Sequence, residues 1–173
     1  NSVVLLRKIT KLNKDNMINM IAAIQVKDYG IGIKNNTLVR ISGDMKHFVA
    51  ITTPRPKHPV IMGRKTYDSF PEKYRPLPDR TNIVITRNTG LSFPEGVIVV
   101  DSLMSAVEAG KKISDDITII GGGQIYQMAF DLHIVDTLEL TIIESNFEAD
   151  TFFPSEWTTF GKMETKELLH DEK

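Results

Sequence analysis

Two segments limit the folds open to this chain more than any other feature. PVIMG running into RKTYDSF (59–70), and DITIIG running into GGQIYQMAF (116–130), each pass from a short apolar stretch through glycine into a helix-like pattern. A short apolar run closed by glycine and followed by a helical period reads as a buried strand turning into a helix. Similar runs recur. MINMIAAIQV (17–26), TNIVIT (81–86), GVIVV (96–100) and TLELTII (137–143) are further strand candidates. LMSAVEAGKKI (103–113) is an amphipathic helix that Ser102 could cap. The pattern predicts another helix over 43–53 and one more strand between Trp157 and Leu169. DYGIGIKNNT (28–37), EKYRPLPDR (72–80) and NTGLSFPEG (88–96) read as loops. Strands that stay apolar along their length are covered on both faces. Alternating with helices, they imply an α/β fold with a mostly parallel sheet.

At 173 residues the chain suits a single domain, with no repeat and no low-complexity linker. Its 21 basic and 22 acidic residues leave a net charge of −1, which excludes a general nucleic-acid binder, so an anion must be met by a local cluster. The absence of cysteine excludes disulfides and thiolate chemistry. The histidines His47, His58, His133 and His170 show no metal-ligand spacing, so no metal is expected. The N-terminal apolar run VVLL is too short for a signal core or a membrane span. A cytoplasmic enzyme or binding protein is the expectation.

The candidate chemistry sits at strand ends. Gly63 precedes Arg64, Lys65 and Thr66, so free backbone N–H groups and cations meet at a helix start, the makings of an anion site. Gly121, Gly122 and Gly123 permit close approach of backbone or ligand. Either junction alone reads equally as a tight turn, and neither matches GxGxxG or the P-loop. Arg87, just past a strand, could read a 2′-phosphate or be a solvated side chain. Asp44 lies on a helical wheel within an arc of Ile41, Met45, Phe48, Val49 and Ile51, with Lys46 and His47 outside it. An acid in a first turn, with Ser42 as cap, complements the helix dipole. An acid among apolar side chains is also costly to bury, and burial would raise its pKa toward proton chemistry. Local sequence leaves both readings open.

In combination the motifs MIAAI, GIG, RISGDMKHF, PVIMGRKTYDSF, RPLPDRTNIVITR, IIGGGQIY, LTIIE and ADTFFP resemble the dihydrofolate reductases, from about Met17 to Lys173. The resemblance implies that family's three-layer α/β fold: a mostly parallel central sheet with an antiparallel edge strand and helices on both faces. Residues from about 60 to 114 would form an adenosine-binding lobe. It implies reduction of 7,8-dihydrofolate by hydride from NADPH, by a cytoplasmic monomer sensitive to antifolates. By the same resemblance, Asp44 is the acid that holds the pterin and supports its protonation, and Thr141 bonds to that carboxylate and to the pterin. Phe48 packs on the pterin. Phe70 and Leu77 wall the benzoyl ring, and Arg80 grips the glutamate carboxylate. Ile21 and Ala23 offer strand carbonyls to pterin and nicotinamide. For NADPH, Gly63, Arg64, Lys65 and Thr66 match the pyrophosphate helix, and Thr86 and Arg87 the 2′-phosphate grip. Gly121, Gly122, Gly123, Gln124, Ile125 and Tyr126 match the glycine turn, with a cis Gly121–Gly122 bond. Ile31 to Thr37 match the loop that closes over the nicotinamide.

Two departures stand out. Where the family carries tryptophan before the acid, this chain reads Val39-Arg40-Ile41-Ser42, which predicts a wider, wetter pocket mouth. The chain also stops at HDEK, where the family continues into a last strand, and it begins with NSVVLLRKI. This predicts a circular permutation: residues 2–9 supply that strand, antiparallel to the tail strand, and the polar stretch Thr10 to Asn16 links it to Met17. The other readings are the pyrimidine reductase of the riboflavin pathway, which shares fold and cofactor, and a folate- or NADPH-binding relative without turnover.

Overall fold

The structure, a computed structural model, describes the backbone of residues 3–10, 17–33, 36–37, 42–88 and 90–170, with side chains at 9, 17–33, 45–88 and 90–161. In chain order the first elements are β1 (Val3–Thr10), β2 (Met17–Gln25), β3 (Gly30–Ile33), β4 (Asn36–Thr37) and α1 (Ser42–Thr52). Next come β5 (His58–Gly63), α2 (Arg64–Ser69), β6 (Arg80–Ile85), β7 (Ile98–Val100) and α3 (Leu103–Lys111). The last are β8 (Asp116–Gly121), α4 (Gly123–Asp131), β9 (Thr137–Ile143), β10 (Thr151–Phe152) and β11 (Lys162–His170). Short 3₁₀ turns cover Glu72–Tyr74, inside the expected Pro-rich loop, and Ser155–Thr159. The tail strand therefore begins at Lys162, later than the reading from Trp157.

The main sheet has 8 strands in the order β11-β1-β9-β2-β8-β5-β6-β7. From β9 to β7 every pairing is parallel. β1 is antiparallel to both β9 and β11, which makes an antiparallel edge pair rather than one edge strand. The N-terminal run thus pairs with the tail strand as expected, from Val3↔His170 to Thr10↔Lys162, with a register shift between Leu6 and Arg7. Thr10, expected to open the linker, is instead the last residue of β1, and residues 2 and 11–16 lie outside the described residues.

Strand periodicity divides the core in two. Side chains alternate across a strand. Ile18, Met20 and Ile24 of β2, Ile61 of β5, Ile83 of β6 and Ile117 and Ile119 of β8 join one cluster, with α3 and α4. Ile21, Val60, Met62, Val84 and Ile120 of the same strands join the other, with Tyr67 of α2 and Phe48 and Ile51 of α1. Helices therefore cover both faces, as the uninterrupted apolar strands require. Ser102 caps α3 by accepting from the Ser105 N–H at 3.1 Å. Leu103, Ala106, Val107 and Gly110 form that helix's buried stripe.

Two details differ from the sequence reading. On α1, Met45 and Val49 are exposed, although the wheel put them on the apolar arc with Phe48. The face turned inward carries His47, Phe48, Ile51 and Thr52, because the helix contacts β2 and β5 along that line. The glycine-rich loop after β2 also contains strands. β3 pairs antiparallel with β4 and β10 in a separate 3-stranded sheet.

Candidate active site

The two strand–glycine–helix junctions lie side by side. β5 and β8 are parallel neighbours with Met62 in register with Gly121, so both glycine turns emerge at the C-terminal edge of the sheet. A Cβ added to Gly63 would stand 4.0 Å from the Gly122 nitrogen, and one on Gly122 would meet Thr66 Oγ1 at 3.2 Å. Gly121 has φ +132°, in the region that favours glycine, and the Gly121–Gly122 peptide is cis as expected. A side chain there would also crowd Tyr126 Oη at 3.2 Å and Thr66 Oγ1 at 3.3 Å. Gly123 packs beside Thr151, and a Cβ on it would lie 3.9 Å from Ile31 Cδ1, which brings the small sheet to the same place. The structure thus gathers Ile31, Gly63, Thr66, Gly121, Gly122, Gly123 and Tyr126. Ile125 is buried behind them, and Gln124 is exposed.

The cations are arranged less freely than the sequence suggested. Arg64 Nη1 donates to Asp68 Oδ2 at 3.0 Å, one helical turn on, and Arg75 reaches the same carboxylate at 3.7 Å. Lys65 is exposed. Arg87 is exposed beyond the end of β6, next to Thr86. The Thr86 N–H donates to Val100 O at 2.9 Å, and Thr86 Oγ1 accepts from the Asn88 N–H at 3.1 Å.

The second component is apolar and lies on the α1/α2 face. Ile21 and Leu77 are buried there, and Phe48 and Phe70 pack against them. The two phenyl rings sit 6.3 Å apart. Leu77 is fixed because its N–H donates to Asn82 Oδ1 at 2.9 Å while Asn82 Nδ2 donates to Leu77 O at 3.1 Å. The Arg80 guanidinium lies 6.0 Å from the Phe48 ring centre. Its Nη1 donates to Thr52 Oγ1 at 2.9 Å and its Nε to Pro78 O at 2.8 Å. Burial lowers the Arg80 pKa, and neighbouring Asp79 opposes that shift. Thr141 is buried and in register with Ala23, as Glu139 is with Ile21, so period-two alternation puts all four on one sheet face.

Ile21 joins the two components. Its side chain belongs to the apolar cluster, and its carbonyl accepts the buried Tyr126 hydroxyl at 2.7 Å. The same hydroxyl lies 2.9 Å from Ile120 O, at the strand end before the glycine turn. Asp44 stands in the first turn of α1, and its side chain lies outside the described residues, as do those of Ser42, Asn36 and Thr37. Val39 and residues 34–35 lie wholly outside them. Thr52, Asn82, His47 and Glu139 were missed by sequence reasoning. Glu139 carried a signal, as an acid within the apolar strand TLELTII.

The family model described as Dihydrofolate reductase matches residues 17–173. The chain belongs to the dihydrofolate reductase family. Among curated relatives, the dihydrofolate reductase of Heliothis virescens is 37% identical over 147 residues, covering 80% of this chain and 79% of that protein. The dihydrofolate reductase of Candida albicans is 35% identical over 176 residues, covering 92% and 88%. The bifunctional dihydrofolate reductase-thymidylate synthase of Daucus carota is 40% identical over 146 residues, which are 78% of this chain and 27% of that longer protein. Membership places the chain among oxidoreductases of folate metabolism. Among the described residues no helix is long and apolar enough to cross a membrane.

Proposed function

We propose that this protein reduces 7,8-dihydrofolate to 5,6,7,8-tetrahydrofolate with NADPH. The observation that supports this most directly is the joint at Ile21, where a glycine-lined cradle and an aromatic, arginine-flanked cleft share one strand residue. The cradle fits a dinucleotide phosphate chain. A Cβ on Gly121 or Gly122 would crowd Thr66, and one on Gly123 would crowd Thr151, so backbone lies open to close approach there. Gly63, Arg64, Lys65 and Thr66 would hold the pyrophosphate, and Thr86 and Arg87 the 2′-phosphate. Ala23, Ile31 and Gly121 to Tyr126 would line the nicotinamide side. Bound there, NADPH supplies the hydride.

This chain's own residues bind and orient the folate. Phe48 and Phe70 offer ring faces for the pterin and benzoyl groups, and Leu77 closes the wall between them. Arg80 keeps further N–H donors beyond those given to Thr52 and Pro78, enough for a carboxylate of the glutamate tail. Asp44 accepts from the pterin amino and ring N–H groups and supports protonation at the imine nitrogen, and Thr141 steadies that carboxylate. With Asp44 the one acid assigned to the pterin, most of the acceleration comes from positioning and local electrostatics. The same reading makes the protein a cytoplasmic monomer that binds antifolates. A steady-state assay following NADPH oxidation with dihydrofolate tests the proposal. Turnover that needs both compounds is expected. Tight binding of both without turnover, or reduction of a ribosylated pyrimidine instead, overturns it.

A further inference from the structure

α1 carries two of the residues assigned to the folate, Asp44 and Phe48, and its position over the sheet sets where both arrive. Its C-terminal half is held by the Arg80–Thr52 hydrogen bond and by Phe48 against Phe70. Its middle is held differently. His47 Nε2 lies 3.5 Å from Glu139 Oε2 on β9, with the two side chains 13% and 5% exposed. The imidazole nitrogen is sealed from solvent, and among the described residues this contact is an ion-pair approach rather than a hydrogen bond. A carboxylate this buried is costly unless a cation or donors meet it. Glu139 shares its sheet face with Thr141, two residues along the same strand, and it stands in register with Ile21. The contact therefore links the helix bearing Asp44 and Phe48 to the strand bearing Thr141.

We propose that His47 and Glu139 are a positioning pair for folate reduction, holding α1 in the rotation that presents Asp44 and Phe48 to the pterin. The proposal rests on the functional reading above. The pair joins α1 to β9, whereas the cofactor cradle lies at the ends of β5 and β8. Loss of the pair should therefore act on the folate step and spare NADPH. Breaking it lets α1 turn or slide, and displacements of the order of 1 Å at reacting groups cost about a hundredfold in rate.

The test uses the full chain and four forms: unmodified, His47→Gln, Glu139→Gln, and the exchange His47→Glu with Glu139→His. Each is assayed for kcat and KM with dihydrofolate, for NADPH affinity, and for urea midpoint. His47→Gln should lower kcat by about tenfold to a hundredfold while NADPH affinity and the urea midpoint hold. The exchange, which again sets an imidazole against a carboxylate, should recover most of that loss. Unchanged kcat in His47→Gln, or parallel losses in NADPH affinity and stability, overturns the pair as a positioning device. A Glu139→Gln chain that does not fold leaves the decision to His47→Gln, at the more exposed partner. Absence of turnover in the unmodified chain refutes the functional reading instead, so the two failures are distinguishable.

Discussion

Replacing Tyr126 with phenylalanine removes one atom from the joint between the two halves of the site. The ring stays, and with it the packing on Phe153, whose ring centre lies 4.9 Å away. What goes is the hydroxyl within 2.7 Å of Ile21 O and 2.9 Å of Ile120 O, both buried contacts. One hydroxyl carries one proton, so the two short contacts amount to one shared bond rather than two independent ones. A typical bond of this kind contributes about 1 kcal/mol net, and stranding a buried acceptor raises the loss to about 1–3 kcal/mol. With a urea slope of about 2 kcal/mol/M, the midpoint should fall by roughly 0.5–1.5 M. The carbonyls released belong to β2 beneath the folate cleft and to β8 before Gly121. Affinity for folate and for NADPH should therefore weaken together, by severalfold each. Urea denaturation followed by circular dichroism, with titration of each ligand, checks this. An unchanged midpoint, or loss confined to one ligand, would show that Ile21 does not couple the two halves.

Asp44→Asn should nearly abolish turnover at neutral pH and leave NADPH binding close to intact; normal dihydrofolate reduction by this variant would reduce Asp44 to a helix-start residue. Arg87→Ala should weaken NADPH by about 1.5–3 kcal/mol, the worth of a charge-assisted contact, and leave NADH nearly unaffected; equal losses for both cofactors would assign Arg87 a structural role. Burial lowers the His58 pKa below 6.5, with Asp116 opposing and Arg55 assisting, and its Nε2 lies 2.8 Å from Thr118 Oγ1. Above that pH the ring is neutral in both folded and unfolded chains and costs nothing. As pH falls from 6.5 toward the lower folded value, the unfolded chain gains a proton that the fold resists, so stability should decline there and level off below. Urea midpoints for the unmodified chain and His58→Gln across that window check it, and parallel curves would refute it.

The sheet was legible because parallel strands buried on both faces write themselves as largely apolar runs, and β5 and β8 are such runs. The small sheet was not. β4 and β10 are two residues long, and β3 is GIGI, so none has room for a strand period. They form because distant backbone meets: Gly30 packs so near Ala149 that a Cβ there would stand 2.6 Å from the alanine Cβ. Contacts set by chain segments more than a hundred residues apart leave little local trace beyond the glycine itself.

The site divides along the same line. Glycine junctions are local chemistry, and the pairing of β5 with β8 then brings two of them together. The tie from Arg64 to Asp68 was also local, at the four-residue helical spacing, and it was readable in RKTYD. α1 shows the opposite case. A helical wheel sums the chemistry of side chains, but the helix lies where its neighbours allow, and here the contact line runs through His47 and Thr52 instead of Met45 and Val49. A face that looks wrong by hydrophobicity requires polar partners on the sheet. Glu139 and Arg80 fill that place, one on β9 and one at the start of β6. The acid interrupting an apolar strand and the histidine off the apolar arc are thus two ends of one contact. Each looks anomalous alone, and only the fold explains either.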